Sequence, residues 1–452
     1  MRASLRRLIE HLRGGSLTAA ASMTLAQSTG SMLISVVFVV VVARVLAPES
    51  NGAHHLALLL PTLLMTFFNA GLPSATVCFV GASRCSRAMA IAVNLRAGAL
   101  LAWAGIVCGW ALVQLWGDRI FPGVSISLLL TALLVYPVML ARMLALGLLQ
   151  SLEDFRWYNI SSLLLPAGSL LSLPLFIAWG GVTPFMTVAA FATGNALSCA
   201  AALWRIALGS THASNERLEL REVAAMSARF IRFGLKSLAS NVLTFINYRA
   251  DLLLVNILIA PLAAGIYVAA IQIAEKLWLL SQAVATVVLP RMARLQQNPR
   301  ASDVVTVRAC QWTTMLTLIG AGLIAGVAPL FVPLLFGKAY ADAVAPLIWL
   351  MPGIVALAGG RILANAITAA GRPHLNAYVA VSTLIVNVVM NLLLIPVLGL
   401  RGAALATTVA YLCDTGVKGA IYASMSGGRW WRPFIISASE VNLRWKATRA
   451  QS

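Results

Sequence analysis

Residues 230–295 read FIRFGLKSLASNVLTFINYRADLLLVNILIAPLAAGIYVAAIQIAEKLWLLSQAVATVVLPRMARL. Two apolar segments, each long enough to cross a bilayer at about 1.5 Å per residue, are separated by a loop of a few residues. They predict a membrane hairpin. Along the first segment Ser237, Asn241, Thr244, Tyr248 and Asp251 recur in steps of four, three, four and three, which places them on one helical face. A polar stripe at bilayer depth is tolerated where it lines a protein interior or a wet cavity, so the hairpin is expected to border a polar lumen.

The hairpin has a counterpart near the start of the chain. A shift of 213 residues lays Ser237, Asn241, Thr244 and Tyr248 over Thr24, Ser28, Ser31 and Ser35. The Ala-Pro-x-x-x-Gly turn occurs as Ala47, Pro48, Gly52 and again as Ala260, Pro261, Gly265. Further along, Trp116-Gly117-Asp118 matches Phe336-Gly337-Lys338 at a shift of 220. Matches in the same order, with only a small change of shift, read as duplication of a half-length unit.

Of 452 residues, 60% are hydrophobic and 10% charged, the composition of a polytopic membrane protein. Twelve spans are read, near 17–43, 53–80, 89–116, 124–150, 158–180, 184–207, 233–259, 264–289, 305–335, 342–369, 374–398 and 402–424. The net charge of +19 would suggest a nucleic-acid partner in a soluble chain, but here placement explains it. On this topology 20 of the 33 Lys and Arg lie in segments on one side of the membrane, with Arg205, Lys236 and Arg308 just within span ends on that side, against four on the other (Arg44, Arg119, Lys338, Arg401). That asymmetry predicts both termini in the cytoplasm.

The chain divides into a cytoplasmic amphipathic N-terminus at 1–16, a six-helix lobe at 17–207, a linker at 208–232, a second six-helix lobe at 233–424 and a basic tail at 425–452. In the first of these, Leu5, Leu8, Ile9 and Leu12 oppose Arg2, Arg6 and Arg13, as in a helix lying on a leaflet. The apolar run that follows is longer than a signal-peptide core and is read as a retained anchor. The linker ends in an amphipathic stretch feeding the seventh span. Six scattered cysteines lack metal-type spacing and are read as packing residues. No nucleotide loop, zinc pattern or dinucleotide fingerprint occurs in the sequence, so no cofactor is expected.

Ionisable groups at bilayer depth cost a few kcal/mol each, about 2.5–3.5 on insertion scales, which makes them functional candidates. The bases are Arg96, Arg142, Arg249, Lys276, Arg361 and Lys418, and the acids Asp251, Glu275 and Asp414. Arg96, Arg142, Arg361 and Lys418 sit toward the cytoplasmic ends of their spans, where snorkelling is an alternative to a lumen role. Arg249, Asp251, Glu275 and Lys276 lie near mid-span, and their structural reading is an ion-pair cluster between the seventh and eighth spans. Arg249 falls off the Asp251 stripe, in keeping with interhelical pairing. Asn365 follows Arg361 on its face, and Asn376, Thr383, Asn387 and Asn391 share helical spacing in the eleventh span. His54 and His55, at the outer mouth of the second span, are expected as interface residues.

Several stretches together resemble a known family. They are Asn247-Tyr248-Arg249-Ala250-Asp251, the Ala-Pro-x-x-x-Gly-x-Tyr turn, Leu289-Pro290-Arg291, Phe336-Gly337-Lys338-Ala339-Tyr340 and Gly399-Leu400-Arg401-Gly402-Ala403-Ala404. These are similar to polysaccharide-type members of the multidrug/oligosaccharidyl-lipid/polysaccharide (MOP) flippase superfamily, nearest the Wzx-type branch. The resemblance implies an all-α fold of two pseudo-symmetric six-helix lobes around a central cavity, in the cytoplasmic membrane of a bacterium. It implies a non-enzymatic function, alternating-access transfer of a polyprenyl-pyrophosphate-linked O-antigen or exopolysaccharide unit from inner to outer leaflet. Membrane lipids, a polymerase and a chain-length regulator are the implied partners. On this reading Arg249, Lys276, Arg361 and Lys418, with Asn241, Tyr248, Asn365 and Asn387, contact the cargo, and Asp251, Glu275 or Asp414 couple transport to an ion. Bases exceeding acids six to three tilt toward an anionic cargo. The alternatives are a proton- or sodium-coupled multidrug/cation antiporter of the same superfamily, which predicts acids dominating, and a membrane glycosyltransferase or polymerase, which predicts large outer loops.

Overall fold

The computed structural model describes residues 15–81, 84–210, 219–278, 281, 284 and 299–434. The expected amphipathic stretch at 1–13, the Leu289-Pro290-Arg291 motif and the tail beyond 434 lie outside these, as do the side chains of Ser237, Asn241 and Thr244. Among the described residues every regular element is helical. The chain forms two compact units, Met1–Val242 and Leu243–Ser452.

The first unit contains α1 (Gly15–Val45), α2 (Pro48–Phe68), α3 (Leu72–Gly81), α4 (Arg87–Ile120), α5 (Ile126–Leu133), α6 (Val135–Ser151), α7 (Phe155–Gly180) and α8 (Pro184–Ser210), and the first half of α9 (Leu220–Leu258). Side-chain caps start several of these helices: Ser86 accepts from the Met89 amide at 3.2 Å, Ser125 from that of Leu128 at 3.4 Å and Asp154 from that of Trp157 at 3.3 Å. Helices α2 and α3 are bent by 42° at a short break and are together long and apolar enough to cross a membrane. The corner is Asn69-Ala70-Gly71. The Asn69 amide donates to the Met65 and Thr66 carbonyls and its oxygen accepts from the Gly71 amide, while Ala70 (φ 47°) and Gly71 (φ 66°) are left-handed. Gly234 of α9 lies against this corner, and a Cβ on either glycine would overlap the other's backbone. Phe79 stacks on Phe230 at 4.8 Å and meets Phe233 edge-on at 5.6 Å, so α3 grips the start of α9. The stretch expected to lie along the interface and the seventh span form one helix of 39 residues.

The second unit comprises the rest of α9, α10 (Pro261–Ala274), a 3₁₀ turn (Glu275–Leu277), α11 (Pro299–Phe336), a second 3₁₀ turn (Lys338–Ala343), α12 (Val344–Ala369), α13 (Pro373–Leu398) and α14 (Leu400–Ser426). Helix α14 packs on both α12 and α13, and α11 on α12. One residue, Gly399 (φ 57°), joins α13 to α14, and a Cβ on Gly402 would strike the Leu394 carbonyl. The Gly-Leu-Arg-Gly-Ala-Ala motif is thus a tight helical joint, with Ala403 and Ala404 fully buried behind it. After α14 the chain turns back. Asp303 accepts from Tyr422 at 2.7 Å and pairs with Arg432 at 2.9 Å, and Phe434 packs on the Val307, Cys310 and Ile362 cluster.

The two copies of the turn share an outline: Ala47 and Ala260 are both extended, though with φ of −62° and −177°, and Pro48 and Pro261 each begin a helix. The other match has no such shared outline. Gly117 lies inside α4, whereas Gly337 (φ 101°) follows the end of α11.

Eight helices among the described residues are long and apolar enough to span a membrane, nine with the bent pair, against the twelve expected. The three expected spans missing from this count fall on α9, on α10 with its following turn, and on α14, which together carry Arg249, Asp251, Glu275, Lys276, Asp414 and Lys418. The apolar spans turn large side chains outward, among them Leu171, Leu175 and Trp179 of α7 and Leu330 of α11, as a lipid-facing surface requires.

Candidate functional site

The charged helices of the second unit build a cluster. Tyr248, Arg249 and Asp251 project from the later half of α9, where the 3.6-residue period separates Arg249 from the other two. At the end of α10 the helix tightens into the 3₁₀ turn, a form common at helix termini, and this delivers Glu275 and then Trp278. Helix α12 contributes Arg361, and α14 contributes Thr407 and Tyr411.

Asp251 is 4% exposed. One carboxylate oxygen accepts from the Leu252 amide at 2.8 Å, and the other from the Tyr267 hydroxyl at 3.0 Å and the Thr407 hydroxyl at 3.3 Å. Among the described residues the acid is therefore held by neutral donors and by no base. Arg249 pairs with Glu275 at 3.3 Å, the interhelical pairing expected of mid-span charges. Arg361 rests over the Trp278 ring at 4.6 Å and donates to the Tyr248 hydroxyl at 3.1 Å. Its Nη1 is buried without a partner among the described residues, as is the indole Nε1 of Trp278. Two neighbouring buried donors with nothing to donate to are uncommon and suit an acceptor-rich ligand. Tyr248 stacks obliquely on Trp278 at 4.8 Å and meets Tyr411 edge-on at 6.3 Å. Against these rings lies a narrow, open pocket of about 20 Å³, room for little more than one water molecule, lined by Tyr248, Asp251, Glu275, Trp278, Thr407 and Tyr411 and by aliphatic residues of α10 and α12.

The structure thus brings together Tyr248, Arg249, Asp251, Glu275 and Arg361. Lys276, next to Glu275, is half-buried and makes no hydrogen bond or ion pair among the described residues. Lys418 and Asp414 stand apart as an i,i+4 pair at 2.6 Å on α14, and Asp414 also accepts from Thr383 at 3.3 Å. Asn387 is fully buried and accepts from Asn391, one turn along the same helix, at 3.2 Å, while its own Nδ2 has no partner among the described residues. Asn376 ties α13 to α12 by donating to the Ala364 carbonyl at 2.9 Å. Asn365 is half-buried on α12, and the Asn241 side chain lies outside the described residues.

Trp278 was not singled out in the sequence. It stands three residues after Glu275, on the same helical face, and that spacing was its one signal. In the first unit, Arg96 reaches the Leu220 carbonyl at 3.0 Å, and Arg142 has a buried Nε without a partner among the described residues. His54 corrects an expectation. It is 1% exposed and hydrogen-bonded to Thr187 at 2.8 Å, because α2 packs against α8 there, so it is a core residue.

An all-helical chain whose charged helices carry a small pocket, surrounded by helices that expose large apolar side chains, defines a polytopic membrane protein of transporter architecture. The chain belongs to the polysaccharide biosynthesis protein family, whose model matches residues 41–345. The fold is that of the MOP superfamily. It is similar to the lipid II flippase MurJ in an inward closed conformation (TM-score 0.72, 15% identity, covering 88% of this chain and 87% of that one). It is similar also to an inward-facing multidrug resistance MATE family transporter (TM-score 0.68, 15% identity, 88% and 95% covered). A third likeness is to a MOP superfamily transporter from Pyrococcus furiosus, described as having a binding pocket of reversed polarity (TM-score 0.60, 16% identity, 91% and 94% covered). These identities carry the fold alone. No curated protein matches the sequence. The family and the structures that share the fold are those of flippases and transporters, not enzymes.

Proposed function

We propose that the chain is a flippase that moves a polyprenyl-pyrophosphate-linked oligosaccharide, an O-antigen or exopolysaccharide unit, from the inner to the outer leaflet by alternating access. In this reading it works in the cytoplasmic membrane of a bacterium, with both termini in the cytoplasm and lobes at 17–207 and 233–424. The observation that carries it is the pair of orphan donors, Arg361 Nη1 and Trp278 Nε1. Setting aside the two ion pairs leaves Arg361 and Lys276 against Asp251 alone in this unit's set of intramembrane charges. That residue of positive charge, in a low dielectric, favours a diphosphate headgroup. Membership of a polysaccharide biosynthesis family and a fold shared with a lipid II flippase support the same cargo class.

The second reading is a cation antiporter, favoured by the two carboxylates of the pocket. Their occupation by Tyr267, Thr407 and Arg249 argues against it. The test replaces Arg361 and Lys276 singly with Ala and follows surface polymer together with the leaflet in which the lipid-linked unit accumulates. Loss of polymer with accumulation in the inner leaflet is expected. Normal polymer in both variants would defeat the proposal.

A further inference from the structure

The dipeptide Trp-Arg occurs twice in the sequence, as Trp204-Arg205 near the end of α8 and as Trp431-Arg432 just beyond α14. Similar groups are built around both. Arg205 pairs with Asp154, the cap of α7, at 2.8 Å, and Arg432 pairs with Asp303, near the start of α11, at 2.9 Å. Each tryptophan meets a second one edge-on, Trp204 with Trp157 at 5.2 Å and Trp431 with Trp430 at 5.8 Å. Each group also holds an exposed arginine that forms no ion pair among the described residues. These are Arg156, beside Trp157, and Arg429, whose guanidinium lies 5.4 Å over the Trp431 ring.

We propose that these two groups, one in each unit, are binding surfaces for anionic phospholipids, a role separate from contact with the transported cargo. Three observations carry it. The first is exposure. Trp204, Trp430 and Trp431 are open to the surroundings, and an indole, apolar in its body with one N–H donor, is matched to the headgroup depth of a bilayer. The Asp–Arg pairs fix the arginine that follows each Trp204 and Trp431, so the rings are mounted before a lipid arrives and less ordering is left to the binding step.

The second observation is charge. At the end of α8, Arg87, Arg156 and Arg205 outnumber Glu153 and Asp154, and beyond α14 Arg429 and Arg432 outnumber Asp303. A surplus of arginine at headgroup depth selects lipids whose phosphate is not balanced by a cation of their own. The third is an unfilled donor. Arg87 donates from Nη2 to the carbonyl of Ile206, the neighbour of Arg205, at 3.0 Å, and its Nε is buried without a partner among the described residues. A guanidinium edge of this kind takes a phosphate oxygen, and the exposed rings nearby suit a phosphate that carries acyl chains over inorganic phosphate. With both termini in the cytoplasm, as in the proposed function, both groups stand at the inner leaflet.

The full chain in detergent is mixed with equal amounts of phosphatidylglycerol and phosphatidylcholine of identical acyl chains, and the bound lipids are counted by native mass spectrometry. Phosphatidylglycerol should be retained about fivefold over phosphatidylcholine, the worth of about one arginine against an anionic surface. Arg156→Gln with Trp204→Ala should lower that preference, as should Arg429→Gln with Trp431→Ala, and the four changes together should bring it to about parity. All four leave the Asp–Arg pairs in place, and an unchanged melting curve shows the variants folded. If the fourfold variant does not fold, Arg156→Gln with Arg429→Gln is used and should remove most of the preference. Trp179→Ala, which deletes an exposed ring at the far end of α7, should leave it unchanged. A parent that binds both lipids equally, a preference that survives the arginine changes, or one that Trp179→Ala abolishes as fully overturns the proposal and leaves the exposed rings to a protein partner.

Discussion

Replacing Asp414 with Leu removes the partner of a lysine that has almost no access to solvent. The Lys418 and Asp414 side chains are 11% and 7% exposed and 2.6 Å apart. Breaking a buried pair from one side costs about 3–5 kcal/mol, because the remaining charge has neither water nor a counter-ion. Thr383, the other described neighbour of the acid, supplies a neutral hydroxyl and no compensation for an ammonium. At roughly 2–4 °C per kcal/mol for a unit of about 200 residues, the unfolding midpoint in detergent should fall by roughly 6–20 °C. Replacing both residues, Asp414→Leu with Lys418→Met, removes the stranded charge, and apolar replacement of a whole pair is often neutral or stabilising by about 1–4 kcal/mol. The double variant should therefore melt at or above the parent. Thermal unfolding of the parent, both single variants and the double variant forms a complete cycle. A double variant as unstable as Asp414→Leu alone refutes the reasoning, since the loss would then arise from packing and not from an orphaned charge. The same variant separates structure from transport. Normal surface polymer assigns the pair to architecture, whereas a stable protein without polymer returns Lys418 to the cargo path.

Three further outcomes are expected. Arg361→Lys keeps the charge but loses the planar stack on Trp278, so geranyl pyrophosphate binding should weaken about tenfold, a loss of about 1.4 kcal/mol; equal affinity would show that charge alone suffices. Asp251→Asn keeps the shape of a buried carboxyl but cannot carry a proton, and pH-gradient-driven transport in vesicles should drop while thermal stability stays within a few degrees; parental rates remove Asp251 from coupling. Gly234→Val places branched carbons against the backbone of Ala70 and Gly71, an overpacking expected to cost about 1–3 kcal/mol or more and to lower the melting point measurably; a melting curve identical to the parent's would mean that the α2–α3 corner yields freely.

Much of the site was legible because its spacing obeys helix periodicity. Tyr248 and Asp251, three residues apart, line one pocket, and the mid-span depth of Arg249 and Glu275 anticipated their pairing. Asp414 and Lys418 could be paired from their i,i+4 spacing alone, yet a lumen role competed with that reading because sequence does not tell which helix face meets another helix. The placement of Arg361 was hidden for a different reason. Its contacts, Tyr248 and Trp278, come from α9 and the turn after α10, more than eighty residues earlier. Trp278 reads in sequence as one more apolar residue, and only tertiary packing shows its N–H to be without a partner. For His54 the error was one of environment. A helix end rich in histidine looks like a membrane–water interface until a neighbouring threonine closes over it. The corner at Ala70 and Gly71 was not singled out although Pro73 stands two residues beyond it, because prolines within spans more often mark accommodated kinks; a single asparagine side chain supplies the turn's hydrogen bonds.

The return of the chain after α14 has a practical side. Arg432 is salt-bridged to Asp303 near the start of α11, Gln311 donates to the Arg432 carbonyl, and Phe434 caps the cluster around Cys310 and Ile362. A protease site or affinity tag placed directly after Ser426 would unclasp three anchoring points and bare a patch of core, inviting aggregation during purification. One placed beyond Phe434 would leave the clasp shut, and the difference in yield between the two is a simple gauge of how firmly it holds.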